Sequence, residues 1–205
     1  MSKKTRFYSA YTLALIFVCG VFLLSACERE YSPKPHAYPR LHFPPQHAYQ
    51  PYTNADCPFV FEYPQYAQIQ KEERFFEEKT ENPCWFNVYF PDFNASIHFS
   101  YKSINGNNTL AKLLEDAHKL TSKHTIKAEY IDDYIISTPH QVHGLMSDVG
   151  GNAASAVQFF LTDSTQHFIR GALYFNAPPN YDSVAPVIAY LKEDMKHLFQ
   201  SFQWK

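Results

Sequence analysis

An apolar run from about Tyr11 to Leu24 follows three cations, Lys3, Lys4 and Arg6, and stops on Leu24-Ser25-Ala26-Cys27. The run is too short to span a bilayer as a helix and has the length of the apolar core of an export signal. Small residues ahead of the cysteine set the cleavage point between Ala26 and Cys27. The tetrapeptide resembles the bacterial lipobox, whose thiol takes a diacylglyceryl group before the signal is cut. The other cysteine in this region, Cys19, lies inside the apolar run behind Val18, with no small residue directly before it. Folding therefore concerns residue 27 onward, in the cell envelope, on a chain held by lipid at its first residue. Acyl chains contribute about 0.8 kcal/mol per buried methylene, so two or three of them anchor stably where one binds reversibly. Glu28 rather than Asp follows the lipid cysteine. That choice favours the outer membrane, facing the periplasm, over the inner membrane or the cell surface.

Removal of residues 1–26 takes away three cations and no acid, leaving 15 Lys+Arg against 20 Asp+Glu, a net of −5. A nucleic-acid partner is excluded on charge, because backbone binding needs a basic face. Two further cysteines remain, Cys57 and Cys84. They either pair, closing a loop of about 28 residues that stabilises by roughly 3–4 kcal/mol in the chain-entropy model, or are two buried free thiols.

Residues 28–56 carry Pro33, Pro35, Pro39, Pro44, Pro45 and Pro51, interleaved with Tyr31, Tyr38, Phe43, Tyr49 and Tyr52. So many prolines exclude helix and central strand. The expectation is an extended arm over 27–56 with polyproline II character, ahead of a single domain over 57–205. A spacer that only had to reach would use Ser, Gly and charge. The aromatics imply that the arm lies against a surface, its own domain or a partner.

From Cys57 onward, short strands are predicted at Phe59–Tyr63, Trp85–Phe90 and Ile97–Tyr101, where apolar residues alternate or run together. Leu110, Leu113, Leu114, Ala117 and Leu120 recur at helical spacing behind a cap at Thr109 or Asn108. Four strands follow near 126–137, 140–148, 154–162 and 167–176, with hairpin turns at Gly150-Gly151-Asn152 and Asp163-Ser164. The last element is a helix capped by Asp182 or Ser183, with Pro186 in its first turn. Its apolar stripe is Ile188, Leu191, Met195, Leu198, Phe199 and Phe202, and its polar face carries Lys192, Glu193, Asp194 and Lys196. This order is α+β: an antiparallel sheet of about six to seven strands covered by helices. It is similar to the PsbP/Mog1-type sandwich.

No Gly-rich phosphate loop, nucleophile elbow or metal-ligand motif occurs in the sequence. His140 and His143, three apart near a strand start, point to opposite faces. Asp132 and Asp133 diverge likewise, and Glu72, Glu73, Glu77 and Glu78 form a solvated charge run. The reading is no enzyme, no metal and no cofactor beyond covalent lipid on Cys27.

Several stretches together resemble the GldD family of gliding-motility lipoproteins of Bacteroidetes. They are Tyr31-Ser32-Pro33-Lys34-Pro35-His36-Ala37-Tyr38-Pro39-Arg40, Cys57-Pro58-Phe59-Val60-Phe61-Glu62-Tyr63-Pro64, Cys84-Trp85-Phe86-Asn87 and Ala95-Ser96-Ile97-His98-Phe99-Ser100-Tyr101-Lys102. Ala37 departs from the pattern, which calls for Gly there. The resemblance implies a non-catalytic envelope component that is required for gliding. It would support the type IX secretion machinery as a scaffold or stabilising subunit. Independently, aromatic side chains dominate interface energetics. Tyr31 and Tyr38 are thus the natural partner-binding anchors of the arm, oriented by Lys34 and Arg40. The competing reading is a periplasmic lipoprotein that binds a small ligand or glycan between sheet and helix.

Overall fold

Alternation of apolar and polar residues carries most of the chain into strands. In β6 (Trp85–Phe90), Phe86, Val88 and Phe90 are buried while the residues between them are half-exposed. In β7 (Ala95–Ser103), Ile97 and Phe99 continue the same core. The structure is a computed structural model and describes residues 41–45, 48–71, 74–75, 78–79, 82–177 and 180–205. These belong to one compact unit, Tyr38–Lys205.

The principal sheet has seven antiparallel strands in the order β3-β6-β7-β11-β10-β9-β8. The strands not yet placed are β3 (Gln68–Lys71), β8 (Ala128–Ser137), β9 (His143–Gly151), β10 (Ser155–Thr162) and β11 (His167–Phe175). Helix α1 (Leu110–Ser122) covers one face through Leu113 and Ala117, which pack with Phe168. Thr109 is its cap, accepting from the Lys112 N–H. Helix α2 (Tyr181–Ser201) covers the other face with Val187, Ile188, Leu191, Met195, Leu198 and Phe199. It starts at Tyr181 behind Asn180, earlier than the expected cap at Asp182 or Ser183, which places Pro186 inside the helix rather than in its first turn.

A second sheet of three strands lies in the order β1-β2-β12, with β1 (Tyr49–Thr53), β2 (Phe59–Pro64) and β12 (Gln203–Trp204). The strand predicted at Phe59–Tyr63 thus belongs to this smaller sheet and not to the principal one. Its aromatics stack onto the principal sheet. Tyr52 and Phe86 have ring centroids 4.6 Å apart, and Phe86 and Phe99 are 4.9 Å apart and nearly parallel. Phe61 bridges to Phe99 and Phe202 at 5.7 and 6.0 Å. Such offset pairs each add about 0.5–1.5 kcal/mol beyond area burial. β1 falls within the segment expected to be an extended arm. Pro51 is accommodated because β1 is an edge strand, where a missing N–H breaks no ladder. A two-stranded ribbon, β4 (Arg74–Phe75) with β5 (Glu78–Lys79), completes the set. The side chains of the Glu72–Glu78 charge run lie outside the described residues.

Cys57 and Cys84 are disulfide-bonded with their Cα atoms 5.5 Å apart. The bridge ties the turn before β2 to the segment entering β6, and so joins the two sheets. The β10–β11 hairpin turns at Asp163-Ser164, where Asp163 Oδ1 accepts the backbone N–H groups of Thr165, Gln166 and His167 at 2.8–2.9 Å. Ser164 takes a left-handed conformation with φ 65°.

Candidate functional site

The features that bear on function gather along the two flanks of α2. On the first flank, Asp194 is 3% exposed, although its neighbours Lys192 and Glu193 reach solvent. It was expected on the polar face of the helix. It instead stands three residues after Leu191 and four before Leu198, on the buried stripe. Its carboxylate accepts from Tyr49 Oη at 3.0 Å and from Tyr66 Oη. Burial, and then the bond to Asp194, push the Tyr66 hydroxyl far above the ordinary tyrosine range. Burial likewise raises Tyr190, with Asp194 adding to it. The Tyr49 ring stacks on His197 with centroids 3.6 Å apart, and His197 Nε2 lies 2.6 Å from Glu62 Oε2. The Glu62 N–H donates to Ser201 Oγ at 3.0 Å. These contacts fasten β1 and β2 along the helix.

The same flank receives the chain where it enters the folded unit. Phe43 packs against Tyr190 at 4.8 Å and Phe93 at 5.9 Å, and Tyr190 Oη donates to the Pro44 carbonyl. Leu41 also packs on the core. Residues 41–44 and 49–53, assigned to the arm by their prolines, are therefore seated on the domain. Ala26, Cys27, Tyr31, Lys34, Tyr38 and Arg40 lie outside the described residues.

On the second flank, α2 and β8 border a groove of about 540 Å³. Tyr134, Ile136, Met146, Ile188 and Phe199 give it an apolar lining, and Asp148, Lys192, Glu193 and Lys196 are its charged groups. Lys192 pairs with Asp148 Oδ2, while the buried Asp148 Oδ1 has no hydrogen-bond partner among the described residues. At one end Tyr130 and Tyr181 share a hydrogen bond of 2.9 Å, which raises the Tyr130 hydroxyl, as do burial and the charge of Asp148.

The histidine and carboxylate pairs are dispersed. His140 precedes β9 with Nε2 3.5 Å from Gln203 Nε2, and His143 opens β9 opposite Thr162 and Ser137. Asp133 accepts from Ser147 Oγ at 2.5 Å, whereas Asp132 stands opposite Asp148 in register. Beneath α1, Arg170 donates to Gln158 Oε1, and burial lowers the guanidinium pKa. Among the described residues no group of three His, Cys, Asp or Glu could hold a metal, and no helix is long and apolar enough to cross a membrane.

Sequence reasoning missed Asp194 and Asp148. For Asp194 the helical spacing was a sufficient signal. For Asp148 there was none, because its neighbours depend on strand register.

No curated protein matches this chain. Among solved structures, the solution structure of cyanobacterial PsbP (CyanoP) from Synechocystis sp. PCC 6803 is similar over 77% of this chain and 93% of its own, with TM-score 0.47 and 14% identity. The family model described as gliding motility lipoprotein GldD matches residues 28–204, from just after Cys27 to the end of β12. That span takes in the arm, both sheets and both helices, and the chain belongs to the GldD family of gliding-motility lipoproteins.

Proposed function

We propose that this chain is a non-catalytic subunit of the envelope apparatus for gliding and type IX secretion, held by lipid on Cys27 in the outer membrane and facing the periplasm. It needs no cofactor besides that lipid. Its work is to support other envelope proteins, with Tyr31 and Tyr38 of the arm as anchors and Lys34 and Arg40 orienting them. The observation that carries this reading is the seat of the arm's root. Phe43, Pro44 and Tyr49 are fixed to α2 by Tyr190, Asp194 and His197. A linker that merely reached would not be bound to the domain by aromatic stacking and a buried carboxylate. Replacing Tyr31, Tyr38 and Arg40 together by Ala should leave the domain folded, by circular dichroism and unchanged urea midpoint, while abolishing gliding. Normal gliding and secretion in that strain would remove the arm from the mechanism.

The groove beside α2 favours one other reading, a lipoprotein that carries a small ligand or glycan, since its volume falls within the range of ligand pockets. Native mass spectrometry of the purified chain separates the two. A bound small molecule supports the carrier, and none, with envelope proteins crosslinked to a C-terminal tag in intact cells, supports the scaffold.

A further inference from the structure

β8 ends the principal sheet, so every second residue turns its N–H and C=O away from β9, and among the described residues no strand pairs with that side. Natural edges are blunted by charge and bulges. The first half of β8 follows this rule, with Glu129, Asp132, Asp133 and an irregularity between Ala128 and Tyr130. The second half does not. Tyr134-Ile135-Ile136-Ser137 carries no charge, Ile135 is 86% exposed and Tyr134 is 51% exposed, and the apolar groove opens alongside.

Charge supplies the other half of the argument. Asp132 and Asp148 are direct cross-strand partners and share a face of the sheet. Like charges so placed repel. Lys192 answers one of them, through Asp148 Oδ2, and Asp148 Oδ1 is buried without a partner among the described residues. Lys196, the other cation on the groove, is paired with Glu193 at 2.7 Å. β8 itself has three acids and no Lys or Arg.

We propose that the outer edge of β8 docks an extended segment of an envelope partner, which pairs with the strand, sets a basic side chain beside Asp132 and Asp148, and lays apolar side chains over the groove next to Tyr134 and Ile136. This rests on the scaffold reading above and gives it a surface. The chain's own arm also carries cations, Lys34 and Arg40, and protection of β8 in the full chain before peptide is added would assign the edge to it instead. A second copy pairing along the whole of β8 would set Asp132 against the other copy's Asp133.

The test uses the full mature chain in detergent and a capped peptide of about eight residues, alternating Thr with Val and carrying one central Lys. Binding is followed by fluorescence anisotropy and by hydrogen exchange of the β8 amides. The expected result is protection confined to residues 130–137 and affinity at least about tenfold weaker when the peptide's Lys becomes Glu, when its centre becomes Pro, or when the chain carries Asp132→Lys. Equal binding of the Lys and Glu peptides, protection elsewhere, no binding, or self-association that protects β8 without peptide would each overturn the proposal. A gliding assay on Asp132→Lys cells separates this from the functional reading. If the peptide fails to bind, the edge is withdrawn and the arm substitution still tests the scaffold. If the peptide binds as expected and the cells glide normally, the edge stands and its link to motility falls.

Discussion

Removing the Asp194 carboxylate should be the most costly single change on the arm's seat. Asp194→Ala deletes the acceptor of Tyr49 Oη, at 3.0 Å, and of Tyr66 Oη, both on half-buried side chains. Hydrogen bonds to a charged group contribute about 1.5–3 kcal/mol each, and a buried donor left unpaired costs about 1–3 kcal/mol. Relief of the carboxylate's own desolvation offsets part of this. The net loss should be about 2–4 kcal/mol, read as a lower urea midpoint at constant slope. Tyr66→Phe alone removes one donor and should cost less. Combined with Asp194→Leu, which presents apolar groups of similar size on both sides, the total should fall short of the sum of the two single losses by about 1 kcal/mol or more. A cost below about 1 kcal/mol for Asp194→Ala, or simple additivity in the double variant, would refute the view that this carboxylate organises the cluster.

Cys84→Ser opens the bridge between the two sheets and should cost about 3–4 kcal/mol by the loop-entropy account, with the wild type losing as much on reduction. A reduced wild type as stable as the oxidised form would contradict it. Asp163 supplies a pH signature. Burial opposes its charge, but the N–H groups of His167, Gln166 and Thr165 outweigh it and hold the carboxyl below its ordinary range. The unfolded chain therefore binds the proton more readily. The stabilisation is complete above the unfolded value of about 3.9 and is lost as pH falls through the depressed folded value. Asp163→Asn should be less stable at neutral pH, and its urea midpoint should fall less steeply below about pH 4. Parallel profiles for the two proteins would show that the turn does not depend on that charge.

What was legible in the sequence was local. Phe86, Val88 and Phe90 announce β6 by alternation, and Ile188 through Phe199 announce α2 by their spacing. The fold class follows from the order of such segments. β12 has two residues, and β3 reads Gln-Ile-Gln-Lys with a single apolar side chain, so neither carries a period to detect. The membership of β2 in a separate small sheet was hidden for another reason. Its partner Gln203–Trp204 lies at the far end of the domain, where pairing leaves no trace in a local window, and Pro51 disguised the nearby strand Tyr49–Thr53. The groove is hidden in the same way, because only register sets Asp132 beside Asp148.

Helix α2 is the element that borders both the seat of residues 41–53 and the groove. Tyr190, Asp194 and His197 lie on one flank, and Ala185, Ala189, Lys192 and Lys196 lie on the other, about 220° apart around the helix when counted across its buried face. The buried stripe between them, Leu191, Met195 and Leu198, packs the helix into the core. Residues 28–40 separate Cys27 from Leu41 in the sequence. At roughly 3.3–3.6 Å per residue those thirteen residues span at most about 45 Å. A partner strand on β8 would meet the groove flank of α2. Helix α2 thus carries the seat of residues 41–53 on one flank and the groove on the other.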